Sequence, residues 1–127
     1  MTAIEREFAG VPDAPADARH FARTALGQLV DGDADGVLRQ DVELIISELV
    51  TNAVRAESPT VVVGLALDGR KLLVTVGDLA AGWPEQREAG IHDTTGRGLP
   101  LVSAISSSWG VHMLTSGKTV WAELDVP

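Results

Sequence analysis

Glu48 and Asn52 are the two residues whose types and spacing point most directly to chemistry. They stand four positions apart in a segment whose apolar residues recur at three- and four-residue intervals, as on one helical face. Side chains four positions apart project from the same side of a helix, one turn from each other. A carboxylate beside a carboxamide at the edge of a core can hold a metal ion and a reacting water or hydroxyl. The alternative is an ordinary polar pair flanking an amphipathic helix.

Two further groups of candidate residues follow later in the chain. Asp78 leaves an apolar strand, and Gly82 stands four residues on. Gly96, Arg97 and Gly98 end a polar stretch and open an apolar segment that suits a short helix. Glycines at such an entry let the backbone approach an anion, and a helix N-terminus offers free N–H groups. Taken singly, the two groups are also explained as a strand end and a helix-entry turn.

The rest of the sequence predicts the elements that must position these residues. Strands are predicted at residues 4–9, 60–67, 71–76, 109–114 and 118–124, and helices at residues 15–30, 37–56 and 99–105. This order predicts an α+β protein, a two-layer α/β sandwich with three helices on one face of a mixed, mostly antiparallel sheet. Residues 1–127 are predicted to form a single domain.

Two loops require separate interpretation. Residues 31–36 begin like a calcium-binding loop, with Asp at alternate positions and then Gly, but the twelfth position is Val42 and not the required Glu. We therefore interpret this segment as an acidic loop between two helices. Residues 83–95 are polar and lack periodicity, and a loop of that length is usually functional or disordered.

Composition narrows the class of protein. The chain has 127 residues, 45% of them hydrophobic, which suits a globular core. It contains no cysteine, so disulfides, thiolate metal sites and cysteine nucleophiles are excluded. A net charge of −8 without a basic cluster argues against nucleic acid and anionic membranes as partners. The sequence shows neither a membrane-spanning run nor a signal peptide, so a cytoplasmic protein is predicted.

The motifs together resemble the GHKL, or Bergerat-fold, ATP-binding superfamily, and most nearly its bacterial anti-sigma-factor serine kinases and their small relatives. Residues 47–54 match the N-box, and Asp78 with Gly82 matches the adenine motif. Residues 95–99 match the phosphate motif and residues 118–121 the final strand. The resemblance implies a histidine-kinase-like ATP-binding domain over nearly the whole chain.

The resemblance implies ATP and Mg²⁺ as cofactors and assigns roles to the candidate residues. Glu48 would be the catalytic base that accepts the proton of an attacking hydroxyl, and Asn52 would be the Mg²⁺ ligand. Asp78 would accept from the exocyclic amine of adenine, and Thr119 on the neighbouring strand would complete that contact. The residues implied to bind the cofactor are Asn52, Asp78, Gly82, Thr95, Gly96, Arg97, Gly98, Leu99 and Thr119.

The sequence departs from the family pattern at two positions, so two functions stay open. Ala56 stands where the family usually has His or Lys near the phosphates, and Ala80 replaces the first Gly of the adenine motif. The first function is an anti-sigma factor serine/threonine kinase that phosphorylates a STAS-type antagonist and binds a sigma factor. The second is a nucleotide-gated protein-binding module with little or no kinase activity. Either could act as a homodimer.

Overall fold

The computed structural model of the protein describes residues 1–33, 36–80 and 98–127. Its strands are β1 Thr2–Ala9, β2 Thr60–Asp68, β3 Lys71–Asp78, β4 Ser108–Leu114 and β5 Gly117–Asp125, and its helices are α1 Ala14–Leu29, α2 Val37–Arg55 and α3 Gly98–Ile105. The predicted elements are all present, with small differences at their ends. The predicted loop at residues 83–95 lies outside the described residues. No described helix is long and apolar enough to cross a membrane.

The five strands form one sheet in the order β1-β2-β3-β5-β4. All four neighbouring pairs among these strands are antiparallel. The predicted antiparallel character is therefore confirmed, but the prediction of a mixed sheet is wrong for the described strands. Strand β4 does run in the same direction as β3, but β5 turns back after β4 and lies between them. Because β5 fills that place, no parallel ladder forms.

The helices cover one face of this sheet, and the alternation of side chains along each strand builds the core beneath them. Six apolar residues recur at three- and four-residue intervals along α2, and all six are buried: Val42, Ile45, Ile46, Leu49, Val50 and Ala53. Strands β3 and β5, which are neighbours in the sheet, contribute a matching set of buried apolar residues: Leu72, Val74, Val76, Val120, Ala122 and Leu124. The α+β sandwich with three helices on one face is confirmed, since this packing follows from the helical and strand periodicities of the sequence.

Polar contacts on the outer surface fix α1 against α2. The guanidinium of Arg23 donates to both carboxylate oxygens of Glu43 at 2.9 and 3.1 Å, and Arg19 donates to the hydroxyl of Ser47 at 3.0 Å. The hydrogen bond from Arg23 holds the pKa of Glu43 below its usual range. These contacts join the two helices at the surface, while the buried apolar residues of α2 determine which side of the helix faces the sheet.

Asp33 in the acidic loop serves the beginning of α2. Its carboxylate accepts the backbone N–H groups of Leu38 and Arg39 at 3.2 and 2.9 Å. These N–H groups belong to the first turn, where a helix has no internal acceptors. Asp33 therefore satisfies donors that the N-cap residue Gly36 has no side chain to satisfy. In the described residues, no three His, Cys, Asp or Glu side chains form a metal-binding group.

Candidate functional site

Helix α2 ends in a turn that fixes the path of the chain next to the candidate site. The backbone N–H groups of Glu57 and Ser58 donate to the carbonyls of Val54 and Ala53 at 2.9 and 3.1 Å. Glu57 adopts the left-handed conformation that this paired cap requires, with φ of 63°. Pro59 follows Ser58, and a proline disfavours the helical conformation for the residue before it, so the helix does not continue. The cap places Ser58 directly under the last turn of α2.

Ser58 connects the end of α2 to the end of β3. Its side chain is buried, and its hydroxyl accepts the N–H of Leu79 at 2.9 Å while donating to the carbonyl of Thr60 at 2.7 Å. Leu79 follows Asp78, and Ser58 is bonded to the turn of α2 that contains Asn52. The two predicted site residues are therefore held at the same end of the sheet by one serine. Sequence reasoning missed this role, because a serine before proline marks only a helix end.

Asn52 carries the most unusual group at this end of the fold. Both polar atoms of its side chain, Nδ2 and Oδ1, are buried, and neither has a hydrogen-bond partner in the described part of the chain. An unsatisfied buried amide costs about 1–3 kcal/mol, and native proteins nearly always pair such groups. Glu48 lies one turn earlier on the same side of α2 and is half-buried. The pair therefore combines a free amide oxygen with a reachable carboxylate, which fits a bound ligand.

Asp78 is the last residue of β3, on the face of the sheet that the helices cover. Its Oδ1 accepts two hydrogen bonds, from the backbone N–H of Ala80 at 2.9 Å and from the ammonium of Lys118 at 3.0 Å. Lys118 stands directly opposite Asp78 in the register of β3 and β5. The side chains of Lys118 and Asp78 are only 4% and 5% exposed. The carboxylate expected to meet a base is thus already part of a buried ion pair.

Thr119 does not lie beside Asp78. It stands opposite Gly77, and its hydroxyl is 3.4 Å from the position that a Cβ on Gly77 would take, so both face away from the helices. Because successive side chains of a strand point to opposite faces, a difference of one residue exchanges Thr119 for Lys118. The structure thus places Lys118 where the sequence interpretation placed Thr119. The periodicity of Val120, Ala122 and Leu124 already contained this signal.

The remaining predicted residues belong to the phosphate and adenine motifs. Gly98 begins α3, and Leu99 is buried in the core beneath it. The predicted helix entry at this point is therefore present. Gly82, Thr95, Gly96 and Arg97 lie outside the described residues, and their assignment to a nucleotide stays a prediction.

Gly117 lets the start of β5 approach the end of β3. Its φ is 125°, and a Cβ on this residue would collide with the backbone oxygen of Asp78. We expect Gly117→Ala to destabilise the protein by about 2–4 kcal/mol, through overpacking and left-handed strain together. Gly69→Ala is the matched control, since Gly69 has φ of 64° but open space around it in the described structure. Urea unfolding of both variants tests this, and equal losses would contradict the proposed contact.

The protein is thus a two-layer α+β fold with a polar site beneath its helices, at the end of the sheet where β3 finishes. The sequence matches the histidine kinase-like ATPase domain family over residues 9–124, and the chain belongs to that family. No curated protein matches the sequence.

Solved structures that share the fold include the following two. The structure of the RsbU and RsbW domains of a Mycobacterium tuberculosis protein matches 98% of this chain at 20% identity, with a TM-score of 0.72. The histidine kinase domain of a blue-light-activated histidine kinase from Erythrobacter litoralis matches 69% of this chain at 25% identity, with a TM-score of 0.51. This chain covers 32% of the first of those chains and 44% of the second.

Proposed function

We propose that the protein is an ATP-binding regulatory protein, a serine/threonine kinase that phosphorylates an anti-sigma-factor antagonist. The observation that carries this proposal is the pair of buried polar atoms of Asn52, which have no hydrogen-bond partner among the described residues. They lie one turn from Glu48 in a chain of the histidine kinase-like ATPase family. A bound Mg²⁺-nucleotide would satisfy that amide. We treat residues 1–127 as one ATP-binding domain.

The residues present fit Mg²⁺ and ATP. The Oδ1 of Asn52 suits Mg²⁺, which takes few protein ligands and keeps its waters and the phosphates of the nucleotide. ATP supplies the phosphoryl group, and the protein has to position it. Glu48 accepts the proton of the attacking serine hydroxyl. Asp78 accepts a hydrogen bond from the exocyclic amine of the adenine.

The proposed protein partners are a sigma factor and a STAS-type antagonist. They follow from the motif resemblance, and the fold shared with a protein that contains an RsbW domain supports them. The net charge of −8 agrees with protein partners and with the absence of a nucleic-acid partner. We propose a cytoplasmic location, where such partners are found.

A second candidate function is a nucleotide-gated binding module without kinase activity. Ala56 favours it, because this residue caps α2 close to Asn52 and is exposed, yet its methyl side chain supplies no charge for a phosphate. A phosphoryl-transfer site normally neutralises the charge that develops in the transition state with cations. If other residues do not replace that cation, binding remains and transfer does not.

The stability of Asn52→Leu, measured with and without Mg²⁺-ATP, tests the proposed nucleotide site. Leucine is close to asparagine in size and removes the unsatisfied amide, so we expect the ligand-free protein to gain about 1–3 kcal/mol of stability. Mg²⁺-ATP should raise the melting temperature of the wild type, since a ligand of the folded state stabilises it. That shift should be largely absent in Asn52→Leu.

Gln40→Leu is the control for this experiment, because Gln40 is an exposed residue near the start of the same helix. It should keep the full ATP-dependent shift. Wild-type protein whose melting temperature does not change at millimolar Mg²⁺-ATP would contradict the proposed function. A full shift in Asn52→Leu would remove Asn52 from the site.

A further inference from the structure

The buried ion pair of Lys118 and Asp78 joins the final-strand motif to the adenine motif, but the family resemblance assigns no role to Lys118. Lysine is almost never fully buried unless it is paired, and here its side chain is 4% exposed. Desolvating two charges is costly, and hydrophobic residues in their place often stabilise a protein equally well. Core packing alone therefore does not explain a lysine at this position. Its surroundings point to a role at the carboxylate of Asp78.

The two hydrogen bonds that Asp78 accepts from the described residues both reach the same carboxylate oxygen. The ammonium of Lys118 and the backbone N–H of Ala80 both donate to Oδ1, and neither of these bonds uses Oδ2. One donor comes from the adjacent strand β5 and the other from the chain that follows β3. Two donors that approach from different elements prevent the carboxylate from rotating. The second oxygen keeps its own acceptor capacity.

Lys118 is itself fixed at both ends. Its Cα is held opposite Asp78 by the ladder between β3 and β5, next to the close approach at Gly117. Its ammonium also lies 3.4 Å from the carbonyl oxygen of Ala80. The lysine thus bridges the side chain of Asp78 and the backbone two residues later. A bridge of this kind sets the direction of a carboxylate more strictly than one hydrogen bond would.

We propose that Lys118 is a positioning residue of the base-binding site, which holds Oδ1 of Asp78 so that Oδ2 selects a purine with an amino group at position 6. An amino group donates to a carboxylate oxygen, whereas a 6-oxo group is an acceptor and meets the same oxygen with repulsion. The proposal rests on the proposed nucleotide-binding function and adds the residue that gives it base selectivity.

A competing explanation is that Lys118 blocks the site and must leave before a base can bind. In that case the ammonium would be expected to occupy the acceptor that the base needs. The ammonium instead shares Oδ1 with a backbone N–H that is present whether or not a ligand is bound. This geometry favours positioning over blocking, and the two explanations predict opposite changes in ATP affinity.

The test compares the affinities for Mg²⁺-ATP and Mg²⁺-ITP, which differ at position 6 of the purine, by isothermal titration calorimetry. The wild type should prefer ATP by on the order of tenfold to a hundredfold, the range of one charge-assisted hydrogen bond. Lys118→Met frees Asp78 to rotate, so the preference should fall to within roughly threefold. A loss of folded protein alone would weaken both nucleotides equally and leave the ratio unchanged.

Lys118→Arg is the second variant, and it keeps the buried charge pair. The guanidinium fork donates to both oxygens of a carboxylate, so it should withdraw Oδ2 from the base. ATP affinity should then fall while ITP affinity changes little. Lys71→Met is the matched control, because Lys71 pairs with Asp125 on the surface, at the far end of β3. It should keep both affinities.

The titrations distinguish failure of the proposed nucleotide binding from failure of the positioning role of Lys118. Wild-type protein that binds neither nucleotide overturns the proposed function and this assignment with it. If the wild type prefers ATP and a folded Lys118 variant keeps the same ratio of ATP to ITP affinity, only the positioning role of Lys118 is overturned. Tighter ATP binding by Lys118→Met would also overturn that role. If neither variant folds, NMR of the lysine ammonium groups in the wild type tests the positioning role of Lys118 instead. The bond from Lys118 to Asp78 should persist at saturating ATP, and its release would overturn the assignment.

Discussion

Replacing Glu48 by glutamine should leave ATP binding intact and reduce phosphoryl transfer by about 10²–10⁴-fold, the usual range for loss of a general base. The amide of glutamine has almost the same shape as the carboxylate but cannot take the proton of a serine hydroxyl. Glu48 is half-buried one turn from Asn52, so the substitution disturbs little else. The measurement is transfer of labelled γ-phosphate to a candidate antagonist protein, with ATP binding followed separately.

Glu43→Gln is the matched control for this prediction. It is the same chemical change on the same helix, but Glu43 bonds to Arg23 on the outer surface. Transfer should be retained in this variant. Full activity in Glu48→Gln would remove Glu48 as the base. A wild type that binds ATP but labels no antagonist would favour the nucleotide-gated module, for which Glu48→Gln should change nothing.

The fold was largely predictable because hydrophobic periodicity determines it. The apolar positions of α2 recur at helical spacing from Val42 to Ala53, over about three turns, and the same positions are buried in the structure. The described strands form no parallel pair, contrary to the prediction of a mixed sheet, because the sequence does not show which strands become neighbours. That order depends on how β5 inserts beside β3, which is a property of the whole packed sheet.

The candidate site was predictable only where it depends on local spacing. Glu48 and Asn52 share a helix, so their separation of four residues was enough to place them together. The partner of Asp78 depends on the register between two strands, and an error of one residue selects Thr119 in place of Lys118. The role of Ser58 depends on a contact with Leu79, twenty-one residues later in the chain. No local pattern in the sequence encodes this contact between Ser58 and Leu79.

Two of the site's features reduce the stability of the ligand-free protein. The amide of Asn52 is buried and has no partner in the part of the chain that the structure describes, and the ion pair of Asp78 and Lys118 requires two charges to leave water. A fold selected only for stability would contain apolar side chains at these positions. Their presence at one end of the sheet, linked through Ser58, is what a binding site is expected to show.

The second large effect that we expect is a loss of stability when the ion pair of Asp78 and Lys118 is broken. Asp78→Asn should lower the free energy of unfolding by about 3–5 kcal/mol, because the ammonium of Lys118 is left buried without an anion. Lys118→Met should cost a similar amount by leaving the carboxylate of Asp78 alone. The double variant should cost much less than the sum of the two, since no isolated charge remains in it.

The surface pair of Lys71 and Asp125 is the control that separates the effect of burial from the effect of distance. Its atoms are closer, at 2.6 Å compared with 3.0 Å for Lys118 and Asp78, but its side chains are 50% and 69% exposed. Exposed ion pairs contribute about 0–1 kcal/mol, so Lys71→Met and Asp125→Asn should change stability little. Urea unfolding of the four single variants and the two double variants provides both cycles. Additive losses at Asp78 and Lys118 would show that the two residues do not act as a pair, and would leave the orientation of the Asp78 carboxylate to the backbone of Ala80 alone.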